Sequence, residues 1–257
     1  MPALGWHFDG SLLVTMLLAT VRAAAWLTVA PPFSTPMVPA RIKAILAVAI
    51  GLAVTPQLQA DAPPLDSSIV IIAAAEQVVV GAALGFVTLL LFAAFQSAGD
   101  LLDLFGGFQL AAVYDPLATT QAAVFGRFYN LLATTLLFGS DGHQLVIRGF
   151  TTSYQAVPLT GIISFGELDR VLATGITTLL VSALQISGPL IAVLFCADVA
   201  LGLLTRVAPA LNAFSLGFPA KILLTVMLTG LAISLVPAIL QDVVGRIVEA
   251  LMTVVHR

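Results

Sequence analysis

The sequence predicts an all-α membrane protein of about five to six apolar helices, several of them broken or kinked, and three observations predict it. Of 257 residues, 60% are hydrophobic and only 9% are charged, with a mean hydropathy of +1.08; soluble domains run near about 45–50% apolar and about 25% charged. The apolar residues gather into stretches that approach or exceed the roughly 20 residues a spanning helix takes. Between them stand clusters of Pro, Gly and Asp, which end helices. The same composition excludes an ordinary soluble domain and a disordered chain, because so much apolar surface must be buried. Ten Lys and Arg against thirteen Asp and Glu supply no basic footprint for nucleic acid.

The first apolar segment runs from Ser11 to Val29. It is expected to be retained, since its first cation, Arg22, follows the apolar run, whereas a signal peptide carries positive charge ahead of it. Pro31, Pro32, Pro36 and Pro39 then forbid a continuing helix. Ile42 to Thr55 is a second apolar segment, short for a span. A break from Pro56 to Ser68 leads to the longest stretch, Ile69 to Phe95, interrupted by Glu76. Gly81 and Gly85 within it form a GxxxG pattern, which in so Gly- and Ala-rich a chain does not by itself distinguish a helix contact from chance.

From Gln96 onward the pattern changes. Gln96, Asp100, Asp103 and Gly107 recur at steps of four and three, with Leu101, Leu104, Phe105 and Phe108 opposite, so the helix is amphipathic and its polar face wants water or a polar partner. Gly106-Gly107 and Asp115-Pro116 bracket the mostly apolar segment Phe108 to Tyr114 with helix-breaking chemistry. Non-helical backbone in a membrane protein is tolerated only where it is buried in protein or lines a cavity, which makes this loop the place to look for function.

Ala122 to Phe138 is the next apolar run, with Arg127 and Asn130 near its start, and it ends at Gly139-Ser140-Asp141-Gly142-His143. Gln144 to Arg170 reads as a mixed connection. Val171 to Ala197 is apolar and broken at Gly188-Pro189, a kink by its chemistry. Asp198 to Lys221 reads as helix, turn, helix, the turn lying around Pro209, Asn212, Gly217 and Pro219. The last span, Ile222 to Ile239, is closed by Pro237. An amphipathic tail helix follows, with Asp242, Arg246, Glu249 and His256 on one face and Val243, Ile247, Leu251 and Val254 opposite. The charge pattern puts Arg41, Lys43, Arg206 and Lys221 in the cytoplasm if the N-terminus is outside. It gives no such support around Asp100, Asp103 and Asp115.

No catalytic constellation and no metal site emerges. His7, His143 and His256 are far apart and none stands with carboxylates at ligand spacing; there is no nucleophile elbow and no phosphate loop. Cys196, the one cysteine, has no intramolecular partner and is expected to be a buried small hydrophobe. Arg22, Glu76 and Asp198 lie within or at the end of apolar segments, where charge is expensive and is functional or paired, across subunits or within the chain. The plainer readings are a snorkelling or helix-paired Arg22, a Glu76 favoured by the helix N-terminal dipole and an Asp198 marking a helix end.

Around the broken loop the chain reads Gly107-Phe108-Gln109-Leu110-Ala111, then Asp115-Pro116, Asn130-Leu131-Leu132-Ala133, Asp141-Gly142-His143 and Ser153-Tyr154-Gln155-Ala156-Val157-Pro158-Leu159. The C-terminal third adds Leu204-Thr205-Arg206-Val207-Ala208-Pro209, Leu211-Asn212-Ala213-Phe214 and Gly217-Phe218-Pro219-Ala220-Lys221. In this order the blocks resemble the FliR family of flagellar biosynthesis proteins, whose relatives in injectisomes are the SctT proteins, and the resemblance spans nearly the whole chain. The Asp-Gly-His and Val-Pro-Leu elements favour the flagellar branch.

The resemblance implies a non-enzymatic, cofactor-free subunit of the type III protein export gate, multi-pass in the bacterial inner membrane at the flagellar basal body. Its implied partners are FliP and FliQ, FlhB at the entrance, and unfolded export substrates in transit. It implies a FliP-like helical portion over 1–170 and a FliQ-like kinked hairpin with the amphipathic C-terminal helix over 171–257. Residues 106–121 match the family's plug, with Gly106 and Gly107 as the bend, Phe108, Gln109 and Leu110 as its bulk, and Asp115-Pro116 beyond. Position 110 is often Met in the family; Leu here keeps the bulk. The hairpin tip at the entrance would carry Arg206, Pro209, Asn212, Phe214, Gly217, Pro219 and Lys221. A different class, a secondary transporter built on broken helices, also fits the breaks at Gly106-Gly107 and Gly188-Pro189, but the two halves show no internal repeat. An injectisome gate subunit is the nearer alternative.

Overall fold

A computed structural model describes residues 10–58, 64–109, 123–160, 165–208 and 213–255, and the regular structure of these residues is helical throughout. In chain order the helices are α1 (Gly10–Val29), α2 (Ala40–Val54), α3 (Ser67–Gly106), α4 (Val124–Gly139), α5 (Gly142–Ala156), α6 (Phe165–Val207), α7 (Ala213–Ala232) and α8 (Val236–Val255). Short 3₁₀ turns occupy Thr55–Gln57 and Ile233–Leu235. Five helical stretches are long and apolar enough to cross a membrane: Gly10–Val29, Ala40–Gln57, Ser67–Gly106, Leu172–Val207 and Gly217–Arg246. The all-α membrane class read from composition therefore stands.

Several boundaries differ from the sequence reading. The apolar stretch from Ile69 and the amphipathic stretch from Gln96 form one helix, α3, unbroken for 40 residues, because no Gly-Pro chemistry separates Phe95 from Gln96. Its buried positions Ala73, Gln77, Val80, Val87, Leu91, Ala94, Ala98 and Leu102 keep a helical period from end to end. Likewise α6 continues for 43 residues through Pro189, and Ser187 Oγ donates to Ala183 O one turn earlier. The carbonyl that Pro189 leaves without its helix donor is that of Gln185, a different one from the Ala183 carbonyl that Ser187 reaches. α6 ends at Val207 and α7 begins at Ala213, so Gly217 and Pro219, expected in the turn, lie inside α7. What ends the last apolar stretch is the 3₁₀ turn Ile233–Leu235, and Pro237 opens α8, where a missing N–H is harmless. The connection after Gln144 holds a helix, α5, whose Val146, Phe150 and Tyr154 are buried at four-residue steps. Cys196 is exposed, not buried: α6 is apolar all round, so composition does not reveal which face it covers, and the face it buries carries Ala183, Ile186, Leu190 and Leu194.

The helices pack as two units. The first comprises Met1–Leu90, Gln144–Gly175 and Arg246–Arg257, and the second Leu91–His143 and Ile176–Gly245.

In the first unit α1 is the centre. Its buried face carries Thr15, Leu18, Ala19, Arg22, Ala23, Trp26 and Leu27, and α2 packs on it where Gly51 meets the Thr20 backbone. The GxxxG of α3 is a working contact. A side chain at Gly81 would strike the Arg22 carbonyl oxygen and come within 2.8 Å of Ala25 Cβ, and one at Gly85 would lie 2.8 Å from Val29 Cβ and 3.0 Å from Trp26 O. Two helices meeting backbone to backbone gain dispersion along the whole seam.

Beside this seam Arg22 is fully buried. Its Nε donates to Gln77 Oε1, Nη1 to Ser153 O at 3.1 Å and Nη2 to Val157 O at 2.8 Å, and its guanidinium lies 4.4 Å from the centre of the Tyr154 ring. Gln77 Nε2 in turn donates to Leu159 O at 3.0 Å, and Tyr154 Oη to Ala19 O at 2.7 Å. Burial pushes the Tyr154 phenol well above its ordinary value while Arg22 pulls the other way, so it serves as a neutral donor. The carbonyls of Ser153 and Val157 belong to the last turn of α5 and the residue after it; Ser153 O also accepts the Val157 N–H at 3.0 Å, and the guanidinium adds donors at a helix end, where carbonyls run short of backbone partners. Arg22 therefore closes the end of α5 and ties it to α1 and α3. Trp26 completes the cluster, stacked on Phe150 with centroids 4.4 Å apart.

Candidate functional site: the base of the 106–121 segment

The C-terminal end of α3, in the second unit, is built to bring two distant points of the chain together. Gly107 has φ +86°, the left-handed region glycine occupies freely and where helices end. After it Phe108 and Gln109 turn helical again. Gly106 and Gly107 are buried, Phe108 is half-buried and Gln109 is exposed; Leu110, Asp115 and Pro116 lie outside the described residues. Glycine at 106 is dictated by packing as well, because a Cβ there would stand 2.8 Å from Thr225 Oγ1 on α7.

On the far side of the segment α4 begins at Val124. Its preceding residue, Ala123, has no side-chain oxygen to cap the helix. Asp103 supplies the cap from α3: Oδ1 accepts the Phe125 N–H and Oδ2 the Gly126 N–H, each at 3.1 Å. The carboxylate thereby satisfies two of the four amides a helix start leaves open and sits at the positive end of its dipole. Its exposure is 0%. The polar face of this stretch, expected to want water or a polar partner, has found that partner within the chain. Two further contacts reinforce the join. Gly99 presses on the Phe125 backbone, with a Cβ there only 2.6 Å from Gly126 N, and the rings of Phe108 and Phe125 meet edge to face at 5.0 Å. Gln96 Oε1 accepts from Asn130 Nδ2 at 3.1 Å one turn further out.

The residues expected at the hairpin tip distribute over α6 and α7. Arg206 is exposed in the last turn of α6. Pro209 and Asn212 lie outside the described residues, and Phe214 falls in the first turn of α7. Gly217 is buried, a Cβ there standing 3.2 Å from Leu201 Cδ1, and Pro219 is exposed. Lys221 pairs with Asp198 at 2.6 Å, joining α7 to α6. Of the three charges expected within apolar segments, Asp198 and Arg22 thus have intrachain partners, while Glu76 is half-buried in α3 beside Gln77, the buried residue that sequence reasoning passed over. Only its place in the register of the buried stripe distinguished it.

With Lys221 16% and Asp198 43% exposed, this pair is worth about 0–1 kcal/mol if water reaches it. Lys221→Asp is expected to destabilise by bringing two carboxylates together, and adding Asp198→Lys is expected to recover most of the loss. Thermal unfolding of the parent, the single and the double variant checks this; a double variant no better than the single one would show that the contact contributes nothing.

The description "bacterial export proteins, family 1" matches residues 13–247. The flagellar biosynthetic protein FliR of Pectobacterium carotovorum subsp. carotovorum is 32% identical over 233 residues, 90% of this chain and 88% of that protein. FliR of Escherichia coli K12 is 29% identical over 235 residues, 91% and 90% of the two chains. The surface presentation of antigens protein SpaR of Shigella flexneri is 30% identical over 153 residues, but these make up 60% of this chain and 59% of SpaR. With its helices, apolar spans and nearly its whole length accounted for in this way, the chain belongs to family 1 of the bacterial export proteins.

Proposed function

We propose that this chain is an integral membrane subunit of the flagellar type III protein export gate, working with FliP- and FliQ-like subunits in the bacterial inner membrane at the flagellar basal body, with an FlhB-like protein at its entrance. The observation that carries the reading is similarity to FliR along about nine-tenths of both chains, against three-fifths for SpaR. It is a conduit component, not an enzyme: its task is to let unfolded subunits pass and to hold back water and ions. Much apolar surface on α6 and α7 is uncovered in the single chain, including Leu180, Leu184, Phe195, Leu203, Leu223, Met227 and Leu231, which suits packing against sister subunits and lipid. In this reading 1–170 is the FliP-like portion and 171–257 the FliQ-like hairpin, with Arg206 and Lys221 toward the entrance. The segment 106–121 is the plug, its apolar bulk excluding water until a substrate chain displaces it.

Deleting Gly107 to Leu110 is expected to make cells leak small ions while the complex still assembles, checked by dye or ion uptake alongside recovery of the complex in mild detergent. Unchanged permeability with intact complex would sink the plug assignment. Restoration of motility in cells lacking their own FliR separates flagellar from injectisome service.

A further inference from the structure

We infer that the row of α3 bearing Glu76 is a contact surface for an apolar helix of a FliP- or FliQ-like sister subunit, and that this helix brings a Lys or Arg to the Glu76 carboxylate. The inference rests on the reading of the chain as an export-gate subunit. Of the charges set in apolar segments, Arg22 and Asp198 are matched inside the chain. Glu76 is not: it has no hydrogen bond or ion pair among the described residues. Nor does the chain accommodate it in another way. α3 begins at Ser67, so Glu76 lies beyond the first turn, where the helix dipole has faded. Arg22 directs its donors to Gln77 Oε1, Ser153 O and Val157 O instead, and Gln77 lies about 100° around the helix from Glu76.

The neighbours of Glu76 indicate what covers it. Ile72, Val79 and Ala83 stand four residues before it and three and seven after it, on its side of the helix. Ile72 is 60% and Val79 50% exposed, while Glu76 and Ala83 are half-buried. Lipid would suit the isoleucine and valine but leave a carboxylate in hydrocarbon, where such groups turn inward or pair. A water-filled conduit would suit the carboxylate but leave the large apolar side chains wet. A protein helix with an apolar stripe and one cation satisfies both, and the carboxylate bars a neighbour of the wrong charge.

The test uses the full chain in the assembled gate. With photoreactive benzoylphenylalanine in place of Val79, irradiation is expected to give an adduct to the FliP- or FliQ-like subunit, mapped by mass spectrometry to a helix carrying a Lys or Arg. Glu76→Lys is expected to lower recovery of those subunits with the tagged chain by about tenfold or more, because like charges then face each other. Glu76→Gln is expected to fall between Glu76→Lys and the parent, and changing the mapped cation to Glu is expected to restore recovery with Glu76→Lys. If Glu76→Lys does not accumulate in membranes, the Val79 adduct and Glu76→Gln still decide the matter. Adducts to lipid alone, no adduct, or a Glu76→Lys chain that recovers its sister subunits as the parent does would overturn the surface. So would labelling of Glu76→Cys by a water-soluble maleimide in an assembled Cys196→Ala gate, since that places the residue in water. A parent chain that recovers no FliP- or FliQ-like subunit removes the gate reading itself, a result distinct from failure of the Glu76 variants beside an assembling parent.

Discussion

Arg22→Met is expected to lower the stability of the purified protein by on the order of 3 kcal/mol or more, since each buried polar group left without a partner costs about 1–3 kcal/mol. Methionine keeps the length and apolar stem of the side chain and removes the three donors. Gln77 Oε1, buried, and Val157 O, half-buried, then lose the Arg22 donors, and Ser153 O is left with the Val157 N–H alone. The loss of the cation–π contact with Tyr154 adds to this. Arg22→Lys is expected to recover little, because a compact ammonium on a flexible stem does not reproduce a planar fork directed at three separate acceptors. The partners also predict a non-additive pair: Arg22→Met with Gln77→Leu removes a donor and its acceptor together, so the double variant is expected to lose less than the two single losses summed. Chemical unfolding in detergent of Arg22→Met, Arg22→Lys, Gln77→Leu and the double variant gives all four losses. An Arg22→Met protein as stable as the parent would show that the buried guanidinium is not what secures α5.

Gly81→Leu is the second large effect. Its Cβ would fall on the Arg22 carbonyl oxygen and 2.8 Å from Ala25 Cβ, and backbone cannot swing aside as the tip of a side chain does. The expected result is separation of α1 from α3, at about 3 kcal/mol or more, the upper end of overpacking. Gly81→Ala is expected to fall between parent and Leu. Gly188→Ala, where nothing lies within 4 Å, is expected to be neutral or slightly stabilising in the isolated chain, as alanine is the better helix former. Thermal melts of the three variants, with the amount of each recovered from membranes, decide it. Equal behaviour of the Gly81 and Gly188 variants would mean the GxxxG is no more than composition.

The same residues show how far the sequence could be read. That Gly106 and Gly107 end a helix was legible, because left-handed backbone and close approach both call for glycine and the pair is followed by polar and proline punctuation. That Asp103 caps α4 was not: periodicity placed it on a polar face but said nothing of a partner 22 residues away across a loop. For the GxxxG motif the positions of the glycines were plain and their use was not, since a small residue permits an approach without requiring one. Arg22 was conspicuous as a charge in an apolar run, yet its partners lie 55, 131 and 135 residues further along and are an amide and two carbonyls, groups that carry no sequence signature.

The sequence by itself determined the solvent and the class. With 9% charge against 60% hydrophobic residues the chain suits an apolar medium, and its long continuous apolar runs call for helices that satisfy their own backbone, with proline and glycine setting most of the interruptions. It also carried the family, through blocks of residues spread over nearly the whole chain. The tertiary structure decided which of many equivalent apolar faces is covered, leaving Cys196 outside and Gln77 inside, and which glycines and carboxylates bear contacts. The physical reason is one of range. Hydrophobicity and helical period are properties of neighbouring residues, whereas a cap from another helix, a backbone seam and a buried guanidinium exist only once distant segments have been brought together.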